Sequence, residues 1–597
     1  MPDPMDTTTR ALPAPDPIHT TDGARAIPQV AISTTSTLAT RTGSWKYQMP
    51  AYHDRVAPCN ARCPVGIDIE GYMNLLREGR VEEARDLLLA ENPLPAVTGR
   101  VCHHPCESVC NRRALDGAVA IHAVERMLGD LAHERPAAVV TGPAHAERVA
   151  VVGSGPAGLG CAYHLARLGY GVTIFESERE AGGMLRLGIP EYRLPRDVLD
   201  RDIARVVAHG VEIKCGVKVG TDVPWGDLTA SFDAVCISTG AHTSRALGVP
   251  GEHLPGVRPG LAFLRDVNSG KRPDLGKRVV VVGGGNTAMD CARSALRLGA
   301  RVTVAYRRTR EQMPAIREEV EDAMREGAEF VFLASPVEFA ATNGRVSAMV
   351  CERTALGEPD ASGRRRPTPT GETFTLDADT VLTAIGESSA LLNFFPDVEG
   401  SDAGLRVDAL GGTNRDLLYA VGDATDLERT VADALGAGKR AAIGIDRHLR
   451  HHHGDTAELN ALRFAGGNLS AARWMGRDPI RRTAPVNETV TADDLNFTQY
   501  RRRPRHGDPH LPSEAAVQGF DEVNAGLPDA LAMDEAQRCL NCGVCTECDV
   551  CLIFCPDAAI SRAAGGAYVI AMDYCKGCGI CAAECPRGAI TMTQDRP

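Results

Sequence analysis

One cysteine frame, C-x2-C-x2-C-x3-C-P, occurs twice near the end of this 597-residue chain. Cys545, Cys548, Cys551 and Cys555-Pro556 recur 30 residues on as Cys575, Cys578, Cys581 and Cys585-Pro586, and Ala559-Ile560 recurs at the same offset as Ala589-Ile590. Three thiolates on one short loop hold three irons of a [4Fe–4S] cube, and the cysteine before proline ligates the cube of the other repeat. The spacing therefore predicts one cluster on Cys545, Cys548, Cys551 and Cys585, and a second on Cys575, Cys578, Cys581 and Cys555. Zinc sites are built from two C-x2-C pairs, not from a doubled frame of this kind. Cys539 and Cys542 stand just outside the repeat, where a ligand role and a loop-capping role are both open.

The rest of the composition decides how twenty cysteines are to be read. The start of the chain has no basic stretch followed by an apolar one, and it carries acidic residues, so neither a secretory signal nor a transit peptide is expected. No apolar run reaches the length of a membrane span. A cytoplasmic location follows as the expectation, and there thiols are ligands or buried small hydrophobes rather than disulfides. The net charge of −12 argues against a nucleic-acid partner, which needs a basic face. Ten cysteines fall between Cys539 and Cys585 and five between Cys59 and Cys110. Cys161, Cys215, Cys236, Cys291 and Cys351 are scattered through apolar stretches and read as core residues.

Two glycine motifs organise the middle of the chain. RVAVVGSGPAGLG sets Gly153, Gly155 and Gly158 as G-x-G-x-x-G directly after a β run, with a helical stretch behind it and a second strand, VTIFE, ending in Glu176. Such glycines let the backbone approach a pyrophosphate at a helix N-terminus, and the acid accepts a hydrogen bond from a ribose hydroxyl. GGMLRLGIPEYRLP, with Gly183, and YAVGDATD, with Gly422 and Asp423, point to FAD in this first fold. Between them RVVVVGGGNTAMD repeats the motif as Gly283, Gly285 and Ala288, with Asn286 opening its helix. Its second strand ends in Tyr306, followed by Arg307 and Arg308. Arginines there bind a 2′-phosphate that an acid would repel, so NADP(H) is favoured over NAD(H).

The resulting layout is a tail over 1–45, a helical iron–sulfur domain over 46–146, a flavin domain split into 147–260 and 385–450, a nicotinamide nucleotide domain over 261–384, a connector over 451–535 and the cysteine module over 536–597. The fold class is α/β: two nested Rossmann-like folds, a helical domain in front and an α+β module behind. STGAH at 238–242 and AIG at 384–386 mark the crossings between the nested folds.

These phrases carry a resemblance. The last residues resemble a bacterial-type two-cluster ferredoxin. EYRLPRDVL, GGGNTAMD and YRRTREQMPA resemble the glutamate synthase small-subunit branch of the pyridine nucleotide-disulfide oxidoreductases. PCNARCPVGIDI at 58–69 and GRVCHHPCESVC at 99–110 resemble the N-terminal iron–sulfur domain of that subunit and of dihydropyrimidine dehydrogenase. In the family's pattern Cys63, Cys102 and Cys106 share a cluster with a non-cysteine ligand, here Glu125, while Cys59 and Cys110 serve a second. Cys102, Cys106 and Cys110 are expected on one face of a short helix or turn. The family's two further cysteines upstream of Cys59 are missing, so one N-terminal cluster is expected and the second has half its thiolates. The resemblance also gives Asp423 the flavin's ribityl chain.

Nicotinamide gives up two electrons together and a cluster takes one, so FAD is the required converter between them. That chemistry demands no catalytic acid, base or nucleophile, and none is assigned. The resemblance implies an NAD(P)H-linked subunit of a hetero-oligomer, exchanging electrons with a ferredoxin or with a larger partner such as a 2-oxoacid:ferredoxin oxidoreductase. The alternative is a glutamate synthase small subunit feeding a glutamine-dependent synthase, which would have no need of a ferredoxin-like tail.

Overall fold

The computed structural model describes residues 42–136, 142–359, 363–389, 395, 397–451, 456–465, 467–476 and 486–594. The tail expected over 1–45 lies outside the described residues as far as residue 41. Thr42–Trp45 form a 3-10 turn, anchored where Gly43 N donates to Asp573 O at 2.9 Å.

The two glycine motifs each open a parallel five-stranded sheet. In the first, the strands run in the order Leu418–Ala420, Ala234–Ile237, Arg148–Val152, Gly171–Glu176 and Glu212–Cys215. Its central strand, Arg148–Val152, reads as an unbroken apolar run because helices cover both faces. The strand Leu418–Ala420 returns from the far side of the second sheet, so the flavin domain is continuous in space although split in sequence. The helix Val431–Leu449 then packs along Pro156–Leu168, and Gly438 permits the approach: a Cβ there would lie 2.8 Å from Cys161 N.

The second sheet has the order Glu329–Phe332, Arg301–Tyr306, Arg278–Val282, Thr380–Thr383 and Val257–Pro259. It carries a three-stranded antiparallel sheet built from Ala334–Thr342, Arg345–Pro359 and Arg365–Asp377. Thr243–Ser244 pairs with Glu387–Ser388 at the two crossings between the folds. No helix among the described residues is long and apolar enough to cross a membrane.

The helical domain places its core against the flavin domain. Tyr72, Met73, Leu76, Leu88, Val97 and Leu128 are buried in the same apolar cluster as Leu159 and Leu165 of the flavin helix. Helices Pro95–Val101 and Ile121–Glu134 cross closely at two glycines. A Cβ on Gly99 would lie 2.5 Å from Arg126 Cα, and one on Gly129 would lie 2.6 Å from Ala96 Cα.

Segments far apart in sequence meet at the edges of these regions. Gln48–Tyr52, placed by sequence in the helical domain, pairs antiparallel with Ile590–Gln594, the last strand of the cysteine module. The connector is also no free linker. Ser470 Oγ, Ala471 N and Ala472 N all donate to the Glu91 carboxylate, as does Lys439 Nζ at 2.6 Å. Glu91 comes from the helical domain and Lys439 from the flavin domain, and both side chains are almost fully buried. Removing one partner of such a pair leaves a buried charge uncompensated, at a cost of about 3–5 kcal/mol. Lys439→Met is therefore expected to lower the first unfolding transition in urea by about that amount, and a change within 1 kcal/mol would show that the pair does not join these three regions.

Candidate iron–sulfur and nucleotide sites

The eight cysteines of the repeat surround two cavities. Cys545, Cys548, Cys551 and Cys585 line one, together with Tyr52 and Thr546. Cys555, Cys575, Cys578 and Cys581 line the other. The fourth thiol of each set comes from the opposite repeat. The loops turn through left-handed residues at matching places, Glu547 and Asp549 in one repeat and Gly577 and Gly579 in the other. Turns of this type aim successive backbone N–H groups into one concavity, a device that suits an anionic cluster.

A second group forms in the helical domain. Cys63 lies in the loop after Pro58–Arg62, Cys102 ends the helix Pro95–Val101, and Cys106 sits in the single turn Pro105–Ser108. Of the short helix or turn expected to carry Cys102, Cys106 and Cys110, only the single turn around Cys106 is helical. His104 is in the left-handed region, with φ 49°, and breaks the helix between the first two. Cys63, Cys102 and Glu125 lie within electrostatic reach of one another, and Cys106 feels Cys63 and Cys102. Glu125 is delivered by the close helix crossing, where Oε1 accepts from Thr98 Oγ1 at 2.6 Å and Asn92 Nδ2 at 2.9 Å. Burial pushes its carboxyl up to about 7 against those two bonds.

The chemistry of these donor sets fits iron–sulfur clusters. Burial raises the thiols, Cys63, Cys545 and Cys581 to about 11 and Cys551 to about 12, so the thiolate form depends on iron being bound. Tyr72 Oη is buried with no hydrogen-bond partner among the described residues, and so is Thr546 Oγ1 beside the first cavity. Tyr72 is surrounded by Glu125, Cys106, Cys59 and Cys63. A buried hydroxyl left unpaired is costly, and cluster sulfur is an acceptor that would satisfy it.

The nucleotide motifs keep their middle glycines open. A Cβ on Gly155 or on Gly285 would meet nothing within 4 Å, which leaves room for a pyrophosphate against the backbone. Gly153 and Gly283 have positive φ. A Cβ on Gly153 would lie 2.6 Å from Ser238 O. Gly158 and Ala288 start the two helices, Pro156–Leu168 and Asn286–Arg297. Glu176 is buried, with Oε2 accepting from Ser154 N at 2.9 Å and Oε1 from Glu178 N at 2.8 Å, so it shapes the glycine loop directly. Gly183 folds over that loop: a Cβ would lie 2.8 Å from Gly155 Cα. Gly422 closes on the other side, where a Cβ would lie 2.8 Å from Ala157 Cβ, and Asp423 follows it, its carboxyl raised by burial. Asp433 acts electrostatically on both Asp423 of the flavin motif and Cys102 of the helical domain.

The second fold separates the two arginines that sequence had grouped. Arg307 is exposed at the end of its strand. Arg308 is buried, and its Nε donates to Arg365 O at 2.7 Å in the antiparallel sheet. The strand ends at Tyr306, and in the bend that follows the two arginines differ in burial, Arg307 exposed and Arg308 buried. Asn286 Oδ1 accepts from Ile316 N at 2.8 Å and fixes the neighbouring loop.

A family model described as pyridine nucleotide-disulphide oxidoreductase matches residues 147–441. Dihydropyrimidine dehydrogenase domain II, 4Fe-4S cluster, matches 53–137, and a 4Fe-4S binding domain matches 568–591. The NADP(+)-dependent formate dehydrogenase subunit beta of Moorella thermoacetica is 41% identical over 516 residues, covering 81% of this chain and 70% of that protein. The NADPH-Fe(3+) oxidoreductase subunit beta of Geobacter sulfurreducens is 38% identical, covering 81% and 75%. The glutamate synthase [NADPH] small chain of Escherichia coli is 38% identical, covering 65% and 87%.

Tyr72 supplies a test of the helical-domain site. Tyr72→Phe is expected to leave the iron content unchanged and to lower the midpoint potential of an N-terminal cluster by on the order of 40 mV, the equivalent of one lost hydrogen bond. Electron paramagnetic resonance followed through a redox titration reads the shift, and an unmoved potential would remove the hydroxyl from the cluster's surroundings.

Proposed function

Because the chain belongs to the pyridine nucleotide-disulphide oxidoreductases, in the branch that includes the glutamate synthase small chain, we propose that it is the NADPH-linked electron-transfer subunit of a larger oxidoreductase. Its electrons would pass between NADPH, FAD and [4Fe–4S] clusters, to or from a ferredoxin or a bigger catalytic subunit, in the cytoplasm. Bound FAD supplies the exchange between the electron pair of a nicotinamide and the single electrons of clusters.

The observation that carries this reading is the succession of sites. The flavin motif at Asp423 is linked through Asp433 to Cys102, and the thiols of the helical domain adjoin the cysteine module at the C-terminus. The last cavity of that module is lined by the exposed Cys578, and Phe554, Val569 and Ile580 are exposed elsewhere on the module. Exposed apolar residues on a redox module suit docking of a protein partner. The relatives named as beta subunits support a role within a complex.

The chain's own part is binding and orientation. The glycine loops would hold the two pyrophosphates, Asp423 the flavin's side chain, and Arg307 the 2′-phosphate that distinguishes NADPH. Cys63, Cys102, Cys106 and Glu125 would hold one N-terminal cluster.

Anaerobically purified protein is expected to contain FAD, iron and sulfide, and to oxidise NADPH with an artificial one-electron acceptor. From its host it should copurify with a larger oxidoreductase subunit. Recovery of a glutaminase-type subunit would support the glutamate synthase alternative, and failure to oxidise either nicotinamide would end both readings. Arg307→Ala is expected to raise KM for NADPH roughly tenfold or more, the loss of a charge-assisted hydrogen bond, while KM for NADH stays put. Arg308→Ala should lower thermal stability without that split. Equal effects of Arg307→Ala on both cofactors would remove the phosphate contact.

A further inference from the structure

Cys59 and Cys110 belong to the helical domain, whereas Cys539 and Cys542 follow the helix Asp529–Arg538 at the other end of the chain. The fold brings all four together. Cys59 is in electrostatic contact with Cys539, Cys110 and Cys542, and Cys542 with Cys539 and Cys110. Asn111, next to Cys110, donates from Nδ2 to Cys542 Sγ at 3.6 Å. Cys59 and Cys542 pack into one apolar cluster with Ala57, Leu540 and Val550.

The loop that carries Cys539 and Cys542 is held from both sides. Arg77 donates to Cys539 O at 3.2 Å and also to Asn541 Oδ1. Asn541 Nδ2 in turn donates to Glu70 Oε1 at 2.9 Å. Arg112, just after Cys110, donates to Arg538 O. These partners fix the loop against the helical domain at the position of the two thiols.

The backbone of this loop repeats that of the two cluster loops. Counting from the first cysteine, residues two and four places on have positive φ: Glu547 and Asp549 after Cys545, and Gly577 and Gly579 after Cys575. After Cys539 the same places are Asn541, φ 48°, and Gly543, φ 83°. Asparagine is among the few residues other than glycine that readily take the left-handed region, and here it reproduces the turn of the cluster loops, which suits an anionic cluster. Asn541 N already donates to Cys539 Sγ at 3.4 Å.

Spacing separates a cluster from simpler uses of four thiols. All four are free, so neither pair is a disulfide. A single zinc ion, with Zn–S bonds of about 2.3 Å, would draw its sulfurs to roughly 3.8 Å apart. Among the described residues, the one group of three or more such ligand atoms within 4.8 Å is His104, Glu107 and His122. The four thiols are therefore too widely spread for one ion, as are the eight of the repeat.

We propose that Cys539 and Cys542 complete, with Cys59 and Cys110, a further [4Fe–4S] site that joins the helical domain to the cysteine module. Their two thiols stand in for the upstream cysteines that this chain lacks. The inference rests on the reading of the chain as a cluster-binding electron-transfer subunit. The new site borders Tyr72 and Cys106 through Cys59, and it borders Cys548 through Tyr500 and Arg587.

The test is a count of iron and acid-labile sulfide in full-length protein after anaerobic reconstitution, with spin integration of the reduced sample. Wild type is expected to hold about sixteen irons and sixteen sulfides, the content of four cubes. Cys539→Ala with Cys542→Ala should hold about twelve, Cys59→Ala with Cys110→Ala the same, and the quadruple variant no fewer, with FAD content retained throughout. The proposal is overturned by about twelve irons in wild type, or by about sixteen in the Cys539→Ala, Cys542→Ala protein. Should that variant fail to fold, the wild-type count and spin integral decide alone. Wild type with flavin and about twelve irons would refute this site and leave the proposed function standing, whereas protein without iron or flavin would refute that function itself.

Discussion

The guanidinium of Arg538 holds the two ends of the chain together. It is fully buried and donates to Ala118 O, Gly117 O and Arg503 O, and to the carboxylates of Asp116 and Glu535. Glu535 also accepts from Ala120 N and His506 N. An arginine can be taken out of water this completely only if nearly every donor finds an acceptor. Here those acceptors come from the helical domain, the connector and the last helix before the cysteine module. This network helps to fix Cys539, one residue on, and acts with Arg77, Asn541 and Glu70 to hold the module against the helical domain.

Local patterns were legible in the sequence where the interacting residues are neighbours. A strand, a glycine turn and a helix follow one another within some twenty residues, so both dinucleotide folds could be read, and the nesting followed from their order along the chain. The parallel sheets bear out the α/β class. What sequence could not supply was pairing between distant segments. Gln48–Tyr52 carries no mark that its partner is Ile590–Gln594. Cys59 and Cys542 are likewise separated by almost the whole chain.

Two signals were nonetheless present. Gly543 stands four residues after Cys539, as Gly579 stands four after Cys575, so the loop's geometry was written beside the repeat. Arg307 and Arg308, adjacent in the bend after their strand, differ in burial because Arg308 turns back to donate to Arg365 O. The break between Cys102 and Cys106 has the same local character, because Pro105 prevents His104 from continuing the preceding helix.

The pairing of Gln48–Tyr52 with Ile590–Gln594 has a consequence for biosynthesis. The first strand leaves the ribosome long before its partner exists. At 5–20 residues per second the intervening chain takes on the order of half a minute to two minutes to make. During that interval Cys59 and Cys63, only a few residues downstream, belong to a nascent polypeptide whose closing strand has not been synthesised. Translation speed and the supply of reducing equivalents around the ribosome thus become part of what this architecture requires in order to mature.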